Sequence, residues 1–262
     1  MAGVNQNLTL GKGKVYFEPY DPGTTVGHGE IYLAQTTEFS YTVAAESLDG
    51  YDADEGINVL LEQVLTQVDV TGALQTQDIS MEKINLFLLG NGVQSKVVAS
   101  ATAQTHTVTD AKQGRYYQLG VSPSSPAGLP RCTVTGVTVG GTPVLAPNNW
   151  SQTTEDIELG RVFIISGSTG IPDGADPVFT YNVAASTRDA VVSKDQQIRG
   201  ALRFVSSNPA GTNRNYYFPL VNMAPDGDYA LKGSEWQTMG FSFTALKRDS
   251  ATERVYVDGR PA

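Results

Sequence analysis

Alternation with a period of two runs through this chain and restricts its fold more than any other feature. The clearest instance is Met239 to Ala245, where Met239, Phe241, Phe243 and Ala245 fall on one side and Gly240, Ser242 and Thr244 on the other. Successive strand residues point to opposite faces, so this spacing describes a strand with one apolar and one polar face. Val15 and Phe17 alternate with Tyr16, Glu18 and Tyr20 in the same manner, and Ile31, Leu33, Phe39, Tyr41 and Val43 mark a second extended stretch. Turn chemistry separates such segments at Asp21-Pro-Gly, Gly27-His-Gly and Pro225-Asp-Gly. Ala201–Val205 leads through Asn208-Pro-Ala-Gly into Tyr216–Val221, a hairpin signal, and Val255-Tyr-Val ends the series.

Two segments read less simply. Ile57, Leu60, Leu61, Val64, Leu65 and Val68 match helical spacing, but Val64, Thr66, Val68, Val70 and Thr71 are β-branched and Thr66 to Val70 alternates. The segment 57–72 is therefore predicted as a strand. The stretch Glu46 to Gly56 before it is acidic and broken by glycine, and reads as a loop joining the two halves of a long hairpin. One helix is predicted, capped by Asp78, with Glu82 in its first turn, a buried stripe of Met81, Ile84, Phe87 and Leu88, and an end at Gly90. The expected class is all-β with one short flanking helix.

From 96 to 195 the texture changes. Short strand-like pieces (Thr105–Thr109, Arg115–Val121, Thr133–Val139, Arg161–Ile165, Val178–Val183) alternate with Gly, Pro and Ser turns, as in a small β-sandwich or an elaborated insertion. Charge changes at the same boundaries. Residues 1–95 hold 3 Lys and no Arg against 13 Asp and Glu; residues 96–195 hold 7 basic and 8 acidic groups; residues 196–262 hold 8 basic and 6 acidic. We expect a discontinuous core from 1–95 and 196–262, with 96–195 as an inserted module on the outside of any assembly.

Several function classes find no support in the sequence. A net charge of −9 repels nucleic acid. No apolar run approaches the ~18–20 residues that span a bilayer, and the N-terminus lacks the basic start and apolar block of a secretory signal. A single cysteine, Cys132, gives no disulfide framework and sits in no cysteine-hydrolase signature, so it reads as a buried small residue. His28 and His106 stand apart from other metal-type ligands, and Ser166-Gly-Ser-Thr-Gly lacks the glycine a nucleophile elbow needs at its first position. Gly11-Lys-Gly-Lys begins like a phosphate cradle but is followed by a strand. Placing Gly56 at the sixth position of a calcium loop puts Tyr51, Ala53 and Glu55 at the ligand positions, which is no EF-hand. The expectation is a chain without catalytic residues, cofactor or metal.

Three blocks carry a resemblance. Gly29–Val43 followed by Glu46–Asn58, then Thr71–Gly90, then Gly200–Phe204, Asn208–Gly211 and Pro225–Trp236 together resemble the tail tube (major tail) proteins of siphophages. The likeness covers roughly 10–95 and 196–247, and the middle less specifically. It implies a β-sandwich or half-barrel with a flanking helix, hexameric rings stacked into a hollow tube, and a bore through which DNA passes during ejection. It also implies partners among other tail proteins, such as tape measure and terminator, assembly with itself, and a place in the virion tail after synthesis in a bacterial cytoplasm. Alternative readings are another virion β protein (capsid decoration or tail terminator) and a carbohydrate-binding or enzymatic β-sandwich.

Two sets of residues follow. An acidic bore lets DNA slide because it offers no cations to replace the counterions of the phosphates; Glu18, Glu30, Glu38, Glu62 and Asp69 are the candidate lumen acids. The loop Glu46–Gly56 is long for a hairpin connection and is expected to contact the next ring. It would use Glu46, Leu48, Asp49, Tyr51, Asp52, Asp54 and Glu55, with Lys247, Arg248 and Arg254 as basic partners.

Overall fold

The alternating segments pair as their periodicity requires. The computed structural model describes residues 8–52, 56 and 58–259. In chain order come β1 (Gly13–Pro19), β2 (Ile31–Leu33), β3 (Thr36–Tyr51), β4 (Leu60–Thr76) and helix α1 (Met81–Phe87). Next are β5 (Gln94–Val98), β6 (Ala101–Thr107), β7 (Arg115–Gln118), β8 (Cys132–Val139), β9 (Thr142–Pro143), β10 (Trp150–Ser151), helix α2 (Thr154–Leu159), β11 (Arg161–Ile164), β12 (Pro177–Val183) and β13 (Ser186–Ala190). Last are β14 (Ile198–Ser206), β15 (Arg214–Asp226), β16 (Met239–Ala245) and β17 (Tyr256–Gly259). Two units result: Met1–Val93 with Val191–Ala262, and Gln94–Ala190.

The first unit is one antiparallel sheet in the order β2-β1-β14-β15-β16-β4-β3, with β17 pairing the first part of β15 beside β16. Its edge strands, β2 and β3, are separated in sequence by Ala34 and Gln35 alone. The sheet must therefore curl until its two edges approach each other. Aromatic packing shows how far. Phe39 on β3 stacks on Phe204 of β14 at 5.4 Å and on Phe243 of β16 at 5.8 Å. In a flat sheet β3 and β14 would lie four strand spacings apart, about 19 Å. The apolar face is thus concave and encloses its own core of Val15, Phe17, Leu74, Leu202, Phe218, Phe241 and Phe243. The sheet is curled but open, and a cleft of 420 Å³ marks the seam between Gly11–Val15 and Thr36–Tyr41. Gly72 makes the curl possible at its tightest contact, since a Cβ there would overlap the Phe243 ring and the Ser40 carbonyl.

Helix α1 packs against this core through Leu86, with Phe87 edge-on to Phe241 at 6.0 Å. Its details depart from expectation. Ser80, not Asp78, holds the N-cap position, without a side-chain cap bond. Asp78 is instead 2.9 Å from the buried Nζ of Lys83, which needs a carboxylate to offset its desolvation. Leu88 is exposed and Leu86 takes its place in the buried stripe, because the helix ends at Phe87 and Leu89 turns into the left-handed region at φ 51°.

The second unit begins and ends as the β5–β13 pair, Gln94 opposite Ala190, so the chain enters and leaves it through adjacent strands. Two further sheets, β6-β12-β8-β9 and β10-β11-β7, share one core that includes Phe179, Tyr181, Leu119, Val162 and Ile164. Helix α2 goes beyond the one expected helix. Thr153 and Asp156 cap it reciprocally, and Arg161 Nε donates to Asp156 at 2.7 Å. Burial alone would push the Asp156 carboxyl up, but the Thr153 hydroxyl and N–H and the Arg161 guanidinium outweigh it and hold it below the usual carboxylate range.

Candidate functional site

The feature that stands apart is the outer half of the β3–β4 hairpin. β16 supports β4 as far as the Val70–Ala245 rung. Beyond it β3 and β4 continue as a two-stranded ribbon from Ala44–Asp69 to Tyr51–Leu60, closed by a hydrogen bond from Asp52 N to the Val59 carbonyl at 2.8 Å. At ~3.3 Å per residue, eight residues of β3 carry this arm roughly 26 Å past the body of the sheet. The expected loop from Glu46 is therefore a correction: Glu46, Leu48, Asp49 and Tyr51 lie in a paired strand. Asp54 and Glu55 lie outside the described residues.

Register assigns each arm side chain to a face. The apolar face of the sheet continues through Val43, Val70, Ala45, Val68, Leu65, Tyr51 and Leu60, interrupted by Ser47, Asp49 and Gln63. Gln63 Nε2 donates to both Ser47 Oγ and Asp49 Oδ1 at 2.9 Å, which fixes that polar rung. The opposite face carries Glu46, Leu48, Val64, Glu62 and Asp69. Two bulges insert Thr66 and Leu61 into β4 and shift its alternation. That shift explains the helix-like spacing of the segment: apolar residues three apart come to share a strand face. It also distributes apolar side chains over both surfaces, so that Leu48, Leu61 and Leu65 are 69%, 67% and 60% exposed. A lone two-stranded ribbon is marginal in water, and burial of its exposed apolar side chains in a contact would stabilise it.

The candidate lumen acids separate into two groups. Glu38, Glu62 and Asp69 share the polar face of β3 and β4 with Glu46. Ser40, Thr42, Thr71, Ser242 and Thr244 surround them, and between Lys14 and Lys83 the chain has no lysine or arginine at all. Glu18 is on the same face but on β1, where it accepts from Gly29 N at 3.3 Å. Glu30 is neutralised by Arg203, 2.6 Å away. The three basic candidates are engaged within their own chain. Lys247 pairs with Glu253 at 3.0 Å. Arg248 lies over the Tyr20 ring at 5.8 Å and reaches the Thr25 carbonyl at 3.5 Å. Arg254 donates to the carbonyl of Val68, two residues beyond the last β16 rung.

The side chains that could carry other chemistry have structural surroundings. Cys132 is fully buried, and burial pushes its thiol up to about 11, away from nucleophilic reactivity at neutral pH. Burial likewise lowers His106, while exposed His28 sits 3.0 Å from Asp21. In the Ser166–Gly170 run, the Ser168 hydroxyl and the Gly170 N–H both donate to Asn149 Oδ1, which fixes the run as a turn. Among the described residues no group of three His, Cys, Asp or Glu side chains is placed to hold a metal ion, and no helix is long and apolar enough to cross a membrane. Sequence reading missed one surface feature, Trp236, which is 86% exposed beside Leu231 at 76%; the turn residues around it gave no sign of whether it points inward.

No curated protein matches the chain. A family model does match, over residues 8–255 and hence over nearly the whole length, and the chain belongs to that family, described as protein of unknown function UCP028589.

Proposed function

We propose that this protein is the structural subunit of a bacteriophage tail tube, assembling with copies of itself into stacked rings around a DNA-conducting bore. The arm is the observation that carries this reading. An extended ribbon with uncovered apolar side chains on both faces has no reason to persist in a monomer, and it acquires one when a neighbouring subunit covers it. Closure of open sheets into a ring removes unpaired edges in the same way. Support for the bore comes from the acid-lined, cation-free face of β3 and β4, which would repel a phosphate backbone instead of binding it. In this reading the tape measure and terminator proteins are the tube's partners, the site of action is the virion tail, and the subunit performs no catalysis.

Negative-stain microscopy of the purified protein tests the proposal. Concentrated protein is expected to form stacked rings or tubes, and shortening the arm by deleting Ser47–Leu65 across a two-residue Asn-Gly turn is expected to leave folded subunits that form none. Monomers or trimers of the intact chain at every concentration would overturn the reading in favour of a decoration-type or carbohydrate-binding β protein.

A further inference from the structure

The arm and the most exposed aromatic residue of the chain lie at opposite ends of the same sheet. β4 runs from the arm tip at Leu60 to Thr76, and Thr76 pairs with Met239, the first residue of β16. Trp236 lies three residues before that rung, so the arm tip and the rung next to Trp236 are the two ends of the 17-residue β4, roughly 50 Å apart. Trp236 belongs to the connection 227–238 between β15 and β16, and that connection is held firmly from below. Tyr229 packs edge-on against Phe87 at 5.8 Å and donates its hydroxyl to Gln237 at 3.2 Å, while Gln237 Nε2 donates to the Leu231 carbonyl. The segment thus packs the half-buried Tyr229 against the core and leaves Leu231 and Trp236 exposed. A groove of 330 Å³ runs beside Trp236, lined by Gln35, Gln77, Ile79 and Gln237.

We propose that the 227–238 connection, anchored by Trp236, is the surface that receives the arm of a second copy of this chain, giving a head-to-tail contact. This deepens the tail-tube reading and rests on it. Two different patches at opposite ends of one subunit make a heterologous contact that repeats without closing, as a stack of rings requires. The basic residues first considered as partners, Lys247, Arg248 and Arg254, do not meet that requirement. They follow the Ala245 end of β16 and so lie at the arm's own root, where Arg254 already binds Val68. At the opposite end Trp236 supplies the kind of exposed aromatic anchor that dominates interface energetics. The connection carries Lys232 between Asp228 and Glu235, so the contact rests on its exposed apolar residues, Leu231 and Trp236, and not on charge. One face of the arm, about 26 Å by 10 Å, offers far less than the ~800 Å² per partner of a stable pair. A single junction is therefore weak, and stacking depends on several arms of one ring engaging the next together.

A cysteine pair tests this directly, because Cys132 is fully buried and takes no part in surface cross-linking. The double variant Leu48→Cys with Ser234→Cys, which leaves Trp236 in place and uses an exposed neighbour, is expected on oxidation at tube-forming concentration to give a ladder of cross-linked oligomers, and each single variant to give monomer. Efficient dimers from Leu48→Cys alone would mean arm against arm and overturn the assignment. Trp236→Ala is expected to keep the wild-type melting curve yet form no tubes at ten times the wild-type threshold concentration, with Trp236→Phe restoring them. Normal tubes from Trp236→Ala, with no ladder from the double variant, would remove the receiving surface and leave the tail-tube reading standing. A wild-type chain that never polymerises, together with an absent ladder, would overturn both.

Discussion

From Thr36 to Val43, β3 lies against β4 with Leu74 and Val70 buried and Phe39 stacked between two other rings; from Ala44 to Tyr51 the same strand continues along the same partner with every residue exposed. Strand pairing is common to both stretches, so pairing is not what separates them. At the root the apolar face meets the curl of the sheet, and burial of each large side chain contributes about 1.5–3 kcal/mol. At the tip equivalent side chains, Leu65 and Tyr51 among them, meet water. The root packs the subunit together, and the arm leaves its apolar side chains uncovered.

Truncation at the root is expected to have the largest effect on stability. Leu74 is 2% exposed between Phe39 and Phe241, so Leu74→Ala should destabilise the first unit by about 2–5 kcal/mol, as other buried leucine truncations do. Denaturant titration followed by tryptophan and tyrosine fluorescence would measure it. A loss below about 1 kcal/mol would mean that the root is no better packed than the arm, and the contrast between them would fail.

Overpacking at the same place comes next. Gly72 faces the Phe243 ring across the β4–β16 rung, with no room for a methyl group. Gly72→Ala should therefore destabilise by about 1–3 kcal/mol, despite the better intrinsic strand behaviour of alanine. A stabilised variant would show that the curl at this point is slack.

Much of this contrast could be read from the residues before any coordinates, and the gaps have physical causes. Period-two alternation identified β1 and β16, because burial on one face leaves that signature wherever a sheet has a wet side, and β-branched residues together with the Thr66–Val70 alternation identified the strand character of 60–72. Glu46–Tyr51 read as a loop because a ribbon wet on both faces loses the alternation and takes on the composition of a loop. The bulges at Thr66 and Leu61 blurred the partner strand for the same local reason. Helix α2 was legible in principle, since Thr153-x-x-Asp156 is a capping box, but its six residues are too few to show a helical period. Strand order was not legible: placing β14 between β1 and β15 joins residues nearly two hundred positions apart, and no local pattern encodes it. Charge alone marks the candidate lumen acids; register groups Glu38, Glu62 and Asp69 on one face, and Glu30 is set apart by its pairing with Arg203. Whether Trp236 faces in or out depends on the path of the 227–238 connection, in which Tyr229 is the ring that packs on Phe87.

The smallest expected effect lies at the boundary between the two regions. Val70–Ala245 is the last rung that β16 gives to β4, so the β4 edge beyond it has no strand neighbour among the described residues. Arg254 donates to the Val68 carbonyl there, closing the first part of that open edge and bracing the arm against the body of the sheet. Water can replace the donor at an exposed edge, so Arg254→Ala should cost no more than about 0.5–1.5 kcal/mol of global stability. Its effect on the arm should be larger in proportion, because the two-stranded ribbon has few other ties to the sheet. Amide hydrogen exchange is the measurement that separates the two. Protection across 62–69 is expected to fall several-fold in Arg254→Ala while protection of Val70–Thr76 stays at the wild-type level. Equal loss in both stretches would mean that root and arm open together, as one cooperative hairpin. No loss in either would place the brace elsewhere, leaving the β3–β4 ladder itself to set the direction of the arm.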